Sequence, residues 1–171
     1  IISDSICCIS STTAVAATDG DYQNIKTINS VGTSSWTDGS VKTGKTYYYK
    51  IKTVVKTQNG EQTSGFSNVK SAKAVPAKTT LKAKASDAKN VKLTWSKVKG
   101  ASGYEIYRSN SKDGKCSKVK TISKGSTTSY KNGKLKKSTT YYYKIRAYRK
   151  VNGKKVYGSY SSVVSVKTKA K

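Results

Sequence analysis

The hexapeptide TYYYKI occurs at residues 46–51 and again at residues 140–145, 94 positions further along the chain. Around it, residues 19–54 align without a gap with residues 113–148, and 15 of these 36 positions are identical. After a shift of one residue the similarity continues from NGEQTSGFSNV (residues 59–69) to NGKKVYGSYSSV (residues 152–163). A period of this length corresponds to a small domain, so the sequence predicts two tandem repeats.

The composition favours β-structure. The chain has 171 residues, of which 35% are hydrophobic, and Thr, Ser, Tyr and Val outnumber Leu. The single proline, Pro76, lies in AKAVPAK (residues 72–78), between the repeats. We therefore expect a short linker there, at residues 75–78.

The residue inventory does not favour catalysis. The sequence contains no histidine, the commonest general base and metal ligand, and its eight carboxylates are scattered. It has no glycine-rich phosphate loop. Its three cysteines, Cys7, Cys8 and Cys116, show no CxxC spacing and form no even-numbered disulfide framework. The sequence predicts a protein that is not an enzyme and uses no cofactor or metal.

The second repeat reads as a series of short strands. VKLTW (residues 91–95), GYEIYR (residues 103–108) and SKVKTI (residues 117–122) alternate between apolar and polar residues. The longest strand is TTYYYKIRAYRK (residues 139–150), and the following Asn-Gly is a strong hairpin signal. Seven such strands in about 90 residues predict an all-β fold, an immunoglobulin-like antiparallel β-sandwich.

Several motifs resemble the fibronectin type III family in its bacterial surface-protein form. They are LTW (residues 93–95), SGYEIYR (residues 102–108), the spacing of Leu135 and Tyr141, and GSYSSVVSVKT (residues 158–168). The resemblance implies a complete domain at residues 79–169. It also implies a partial domain at residues 1–74, which lacks the first two strands unless residues before Ile1 supply them, with ICCIS or STTAV standing where GYEIYR stands. The Leu/Tyr spacing resembles the family's tyrosine corner, in which the phenol bonds to the preceding backbone.

Strand alternation and this resemblance divide the side chains of the second repeat into two sets. The predicted core contains Trp95, Tyr104, Ile106, Leu135, Tyr141, Tyr143 and Ile145. The predicted outer face carries Tyr107, Lys118, Tyr142, Lys144, Arg146 and Tyr148. Aromatic rings interleaved with cations form a platform for sugar rings or anionic polymers. The alternative is an ordinary solvated strand surface, whose Tyr, Thr and Lys residues pair across strands.

The positive charge is concentrated in one repeat. Residues 1–76 hold 8 Lys/Arg and 5 Asp/Glu, a net charge of +3, whereas residues 77–171 hold 26 and 3, a net charge of +23. Such a surface could attract teichoic acids, anionic glycans or nucleic acid, or could serve to prevent aggregation. Lysine dominates and no nucleic-acid-reading motif is present, so the sequence does not favour nucleic acid.

Two functional hypotheses follow. The first is a tandem fibronectin type III spacer and adhesion segment of a larger, exported Gram-positive bacterial protein, located outside the cell or at its surface. The second is a module that binds carbohydrate or anionic wall polymer through the outer face and serves a secreted glycan-active enzyme or wall hydrolase. The opening IISDSICCIS is too short to span a membrane, and the sequence reads as part of a longer polypeptide.

Overall fold

The structure is a computed structural model that describes residues 9–18, 20–30 and 32–171. The chain divides into two compact units, Ile1–Ala74 (the first unit) and Val75–Lys171 (the second unit). The division falls where the predicted linker begins. Throughout the described residues the secondary structure is strand and turn, without a helix. None of these residues therefore belongs to a helix long and apolar enough to cross a membrane.

The described residues of the two units contain thirteen strands. The first unit contains β1 (Ile9–Ala17), β2 (Gln23–Ile28), β3 (Thr46–Thr57), β4 (Gly60–Thr63) and β5 (Lys70–Lys73). The second unit contains β6 (Leu81–Ala85), β7 (Val91–Trp95), β8 (Gly103–Ser109), β9 (Ser117–Ile122), β10 (Ser129–Asn132), β11 (Thr140–Val151), β12 (Lys154–Tyr157) and β13 (Val164–Lys167).

The second unit is an antiparallel sandwich of two sheets. One sheet has the order β10-β7-β6, and the other has the order β9-β8-β11-β12, with β13 also paired to β11. The inward side chains form a single core that includes Trp95, Tyr104, Ile106, Leu135, Tyr141, Tyr143 and Ile145, each at most 6% exposed. Alternation along β7 sends Val91, Leu93 and Trp95 into this core and leaves Lys92 exposed. The predicted all-β, immunoglobulin-like fold class is confirmed.

The motif GSYSSVVSVKT (residues 158–168), which the resemblance assigns to the last strand of the domain, is only partly strand in the structure. Residues 158–163 separate β12 from β13, although the sequence reads as one strand through this segment. The Ser161 hydroxyl accepts a hydrogen bond from the Ile145 backbone N–H at 3.1 Å, while the Ser161 N–H donates to the Ile145 carbonyl at 2.7 Å. A side chain thus replaces a backbone acceptor of the ladder, and the chain leaves regular strand geometry here.

The described residues of the first unit form a single sheet. Its order is β2-β1-β3-β4, with β5 paired to β3, and β1 occupies the place that β8 has in the second unit. The register shows this directly, because Thr13 lies opposite Lys52 as Glu105 lies opposite Arg146. STTAV (residues 11–15) therefore stands where GYEIYR stands, whereas most of ICCIS lies outside the described residues.

No counterpart of the β10-β7-β6 sheet covers this unit within the described residues. The inner face of β3 instead opens onto a cleft of about 580 Å³ whose lining includes Trp36, Tyr47, Tyr49 and Ile51. Ile51 is 47% exposed. The truncation of the first repeat stays a prediction, since residues 1–8 lie outside the described residues.

The two units repeat one hydrogen bond in detail. In the second unit the Lys136 N–H donates to the Tyr141 hydroxyl at 2.9 Å, and in the first the Lys42 N–H donates to the Tyr47 hydroxyl at 2.9 Å. These bonds have the form that the resemblance implies for a tyrosine corner. The loop before the long strand is therefore held in the same way in both units.

Candidate functional site

The outer face of the larger sheet in the second unit is organised around one acidic side chain. Glu105 lies on β8 directly opposite Arg146 on β11, and Tyr107 lies opposite Lys144 on β11 and Lys118 on β9. β12 continues the same sheet on the far side of β11. The alternation of three neighbouring strands therefore gathers cations and phenols on the side away from the core.

Glu105 is fully buried although it points away from the core. Its Oε2 accepts hydrogen bonds from the Tyr107 hydroxyl at 2.7 Å and from Arg146 Nη2 at 2.9 Å. Its Oε1 accepts from Lys155 Nζ at 3.0 Å and from the Tyr157 hydroxyl at 3.2 Å. The surrounding side chains replace the water that an exposed carboxylate would have.

The pKa values agree with a permanently ionised carboxylate. Burial raises the pKa of Glu105, but hydrogen bonds from Tyr107, Arg146 and Lys155 outweigh it and lower that pKa to about 2. The bond to Glu105 raises the pKa of Lys155. Burial and hydrogen bonds to Tyr160 and Glu105 raise the pKa of Tyr107, so its phenol stays protonated and remains a donor.

Aromatic rings surround this ionic network. The Arg146 guanidinium carbon lies 3.7 Å from the centre of the Tyr157 ring and 4.9 Å from that of Tyr160. Tyr160 meets Tyr107 edge to face, with 5.2 Å between ring centres, and Lys144 Nζ lies 4.5 Å from the Tyr160 ring centre. The cations are thus held both by a carboxylate and by ring faces.

Tyr148 does not belong to a solvent-facing site, and its prediction as a binding residue is wrong. It lies on the outer side of β11 but is only 1% exposed. Gly103 opposite it leaves room for the ring, because a Cβ at Gly103 would lie 2.6 Å from the Tyr148 hydroxyl. Tyr157 covers the Tyr148 ring, with 6.2 Å between the two ring centres, and Lys155 Nζ lies 4.5 Å from the centre of the Tyr148 ring. Tyr148 packs the sheet and offers no face to a ligand.

The other predicted face residues are brought together to different degrees. Tyr107, Lys144 and Arg146 are half-buried within the cluster. Lys118 is at the edge, with Nζ 3.6 Å from Glu105 Oε1 and 48% of its side chain exposed. Tyr142 is half-buried between Ser109 and Ser165 on the neighbouring strands.

Sequence reasoning missed Tyr157, Tyr160 and Lys155, and it left out the role of Glu105. Tyr160 lies in residues 158–163, whose departure from strand geometry removes the alternation that assigns faces. Glu105 carried a signal, since it is the one acidic residue in strand β8 and alternation places it among cations. A lone carboxylate in that position indicates an ion pair.

The arrangement is suited to holding charge in place rather than to transforming a substrate. The carboxylate of Glu105 already accepts hydrogen bonds from four side chains, so it is not available as a base. Within the part of the chain that the structure describes, no group of three His, Cys, Asp or Glu side chains could hold a metal ion. The amine of Lys118 is the exposed group at the edge of this cluster, and the ring of Tyr142 is half-buried beside it.

Comparison with known proteins gives structural relatives only. No family model matches the sequence, and no curated protein matches it. The crystal structure of chicken CNTN1 FN1–FN3 domains is similar over 94% of this chain, with 20% identity and a TM-score of 0.49. This chain covers 57% of that one, little more than half its length.

Two further solved structures match a little more than half of this chain. The structure of FN3tt is similar over 57% of this chain and 99% of its own, with 21% identity and a TM-score of 0.46. A Fn3-like protein from Clostridium thermocellum is similar over 56% of this chain and 92% of its own, with 28% identity and a TM-score of 0.45. Fibronectin type III domains are thus among the solved structures that this chain is similar to.

Proposed function

We propose that the chain is a non-catalytic tandem fibronectin type III segment that acts as a spacer and weak adhesion module in a larger bacterial extracellular or wall-associated protein. The supporting observation is the connection between the units. Ala74 is tied into the first unit by backbone hydrogen bonds with Gly44 and Lys45 at 2.8 and 2.9 Å. Pro76 is buried in the second unit, where its carbonyl packs against Gly158. Only Val75 lies between these anchors, which suits a segment that sets a distance.

The carboxylates of the second unit support a non-catalytic role. Its three acids are Asp87, Glu105 and Asp113. Glu105 is enclosed by its own partners, and Asp87 accepts hydrogen bonds from the Lys89 N–H at 2.8 Å and from the Asn90 amide at 2.9 Å. Asp113 is an exposed turn residue. Each acid thus has a structural role or stands alone, and the sequence has no histidine to pair with it.

The second candidate is binding of a glycan or anionic wall polymer at the outer face. The observation that favours it is the fixed cluster of cations and rings formed by Tyr107, Arg146 and Tyr160, with the half-buried Tyr142 on the same face of β11. An ordered cluster loses little side-chain entropy when it binds. The internal use of its charges by Glu105 weakens this candidate, so we place the spacer first.

Small-angle X-ray scattering tests the spacer role. The scattering of the full chain should fit an ensemble of molecules whose maximum dimensions vary little and do not depend on salt. Insertion of about 12 Gly/Ser residues after Val75 should broaden the distribution of maximum dimensions, because such linkers behave as flexible coils. An equally broad distribution for the unmodified chain would contradict the spacer.

Cosedimentation with purified Gram-positive cell wall tests the second candidate. Stacking on tyrosine should retain the chain even when salt shortens the screening length from about 10 Å at 0.1 M to about 3 Å at 1 M. Tyr142→Ala combined with Tyr160→Ala should then abolish retention. Tyr48→Ala is the matched control, since Tyr48 holds the position of Tyr142 in the first unit. Retention that ignores both variants excludes binding at this face.

A further inference from the structure

The opposite sheet of the second unit carries an uncompensated row of lysines. Lys84 on β6 lies directly opposite Lys92 on β7, and Lys92 lies directly opposite Lys131 on β10. All three are exposed, on the outer side of the β10-β7-β6 sheet. Lys82 is exposed one rung away, opposite Thr94. We call Lys84, Lys92 and Lys131 the lysine row.

The row places three positive charges close together. Neighbouring strands lie about 4.8 Å apart, so the Cα atoms of the row span only about 10 Å. Like charges directly opposite each other on adjacent strands destabilise a sheet. Among the residues that the structure describes, no ion pair involves a member of the row, and the pairs of the second unit all converge on Glu105.

The acid in the turn beside the row offsets the charge of the row only in part. Asp87 lies in the turn between β6 and β7, and both of its carboxylate oxygens accept hydrogen bonds from the Lys89 N–H or the Asn90 amide. Those bonds lower the pKa of Asp87, and Lys131 adds a smaller contribution. Asp87 is therefore committed to its own turn.

Protection against aggregation does not account for the row. Lysines guard the open edges of sheets against pairing with other chains. Lys92 is on β7, the central strand, whose two edges are already paired with β6 and β10. A lysine between two others on a central strand adds repulsion without protecting an edge.

We propose that the lysine row is a binding site for polyphosphate, a linear polymer whose phosphates are linked directly to one another. Such a polymer laid across the strands brings one negative charge to each lysine and removes their mutual repulsion. Lysine ammonium groups act as point charges without the planar fork of arginine. The one aromatic residue of these three strands beside Trp95 is Tyr130, which packs toward the core, so no ring is presented for base or sugar stacking. The site therefore reads charge spacing alone, and it is independent of the tyrosine face and of the spacer role.

Titration calorimetry of the full chain with long-chain sodium polyphosphate tests the proposal. The row variant Lys84→Gln, Lys92→Gln, Lys131→Gln should lose affinity by about tenfold or more, and the slope of log affinity against log salt should fall by about 2. The control variant Lys112→Gln, Lys124→Gln, Lys137→Gln removes the same charge from exposed positions elsewhere. Its affinity should stay within about threefold of the unmodified chain.

Two further measurements separate the alternatives. Orthophosphate at the same total phosphate should give no saturable binding, since one phosphate engages one lysine at a time. The melting temperature of the row variant should rise slightly, because repulsion is removed. Equal loss in both triple variants, tighter binding of a single-stranded oligonucleotide of equal charge, or a lower melting temperature of the row variant would each overturn the proposal.

Discussion

The same strand sequence has opposite surroundings in the two units. Ile145, within the second TYYYKI, is completely buried, whereas Ile51, within the first, is 47% exposed. Both lie on the inner side of the long strand of their sheet. The backbone carbonyl of Ile145 accepts a hydrogen bond from the Ser161 N–H at 2.7 Å, and that of Ile51 accepts one from the Ser67 N–H at 2.8 Å. The difference lies entirely in the second sheet, which covers Ile145 and has no counterpart over Ile51 in the described residues.

The hydrogen-bond acceptor of the third tyrosine in TYYYKI also differs between the two units. Tyr143 donates to Asn132 at 2.9 Å in the second unit, and Tyr49 donates to Asp38 at 3.0 Å in the first. Asn132 is buried and neutral. Asp38 lies in the open unit, where burial raises its pKa but hydrogen bonds from Ser40 and Tyr49 lower it overall. In the described residues no second sheet covers Asp38, so its charge stays hydrated, whereas the covered position in the second unit holds a neutral amide, because a buried charge needs full compensation.

The largest expected difference concerns independent folding. Residues 75–171 expressed alone should unfold cooperatively, with a free energy of unfolding in the range of about 5–15 kcal/mol that is usual for a domain. Residues 1–74 alone should show no cooperative transition, since half of a sandwich core is uncovered. Thermal unfolding followed by circular dichroism measures both. A sharp transition from residues 1–74 would show that one sheet suffices.

Removal of the tryptophan of β7 should have the next largest effect. Trp95→Ala should lower the free energy of unfolding by about 3–5 kcal/mol, because Trp95 is 6% exposed and packs against Tyr104 at 5.4 Å between ring centres. Trp95→Phe is the matched control. The indole N–H has no hydrogen-bond partner, so this change should cost much less. Urea unfolding compares the variants, and equal costs would contradict packing as the cause.

A pair of identical truncations tests the comparison most directly. Ile145→Ala should lower the free energy of unfolding of the second unit by about 2–5 kcal/mol. Ile51→Ala at the equivalent position should change the stability of the chain by no more than about 0.5 kcal/mol. Urea denaturation of the full chain measures both. A large loss for Ile51→Ala would mean that the first unit acquires a cover in solution.

Acid should destabilise the second unit through Glu105. Its pKa is about 2 in the folded state and 4.5 ordinarily, so the folded state binds fewer protons. The resulting stabilisation, about 3 kcal/mol, is fully present above pH 4.5 and is lost as the pH falls toward 2.

Urea midpoints measured between neutral pH and pH 2 detect this loss. Glu105→Gln should be less stable at neutral pH and should show a flatter dependence on pH below 4.5. Thr13 holds the corresponding place in the first unit, and a threonine side chain does not titrate, so this position adds no pH-dependent stability there. Parallel curves for Glu105→Gln and the unmodified chain would exclude Glu105 as the source.

Strand positions were predictable because alternation is a local property. GYEIYR places Tyr104 and Ile106 inward and Glu105 outward whatever the rest of the fold does, and the structure has β8 in that place. Residues 158–163 were not predictable as a break, because Ser161 leaves the ladder only when Ile145 lies opposite it. The burial of Tyr148 was not predictable either. Its ring is covered by Tyr157 of β12 and fits beside Gly103 of β8, and both contacts depend on strand pairing.

The tandem repeat, the all-β class and the side of each strand on which a residue lies followed from the sequence. All of these depend on residues close together in the chain or on its similarity to itself. The tertiary structure alone decided which of those sides is covered. Burial of Glu105, exposure of Ile51 and alignment of the lysine row depend on strands distant in sequence, and their register is set by the pairing of whole sheets.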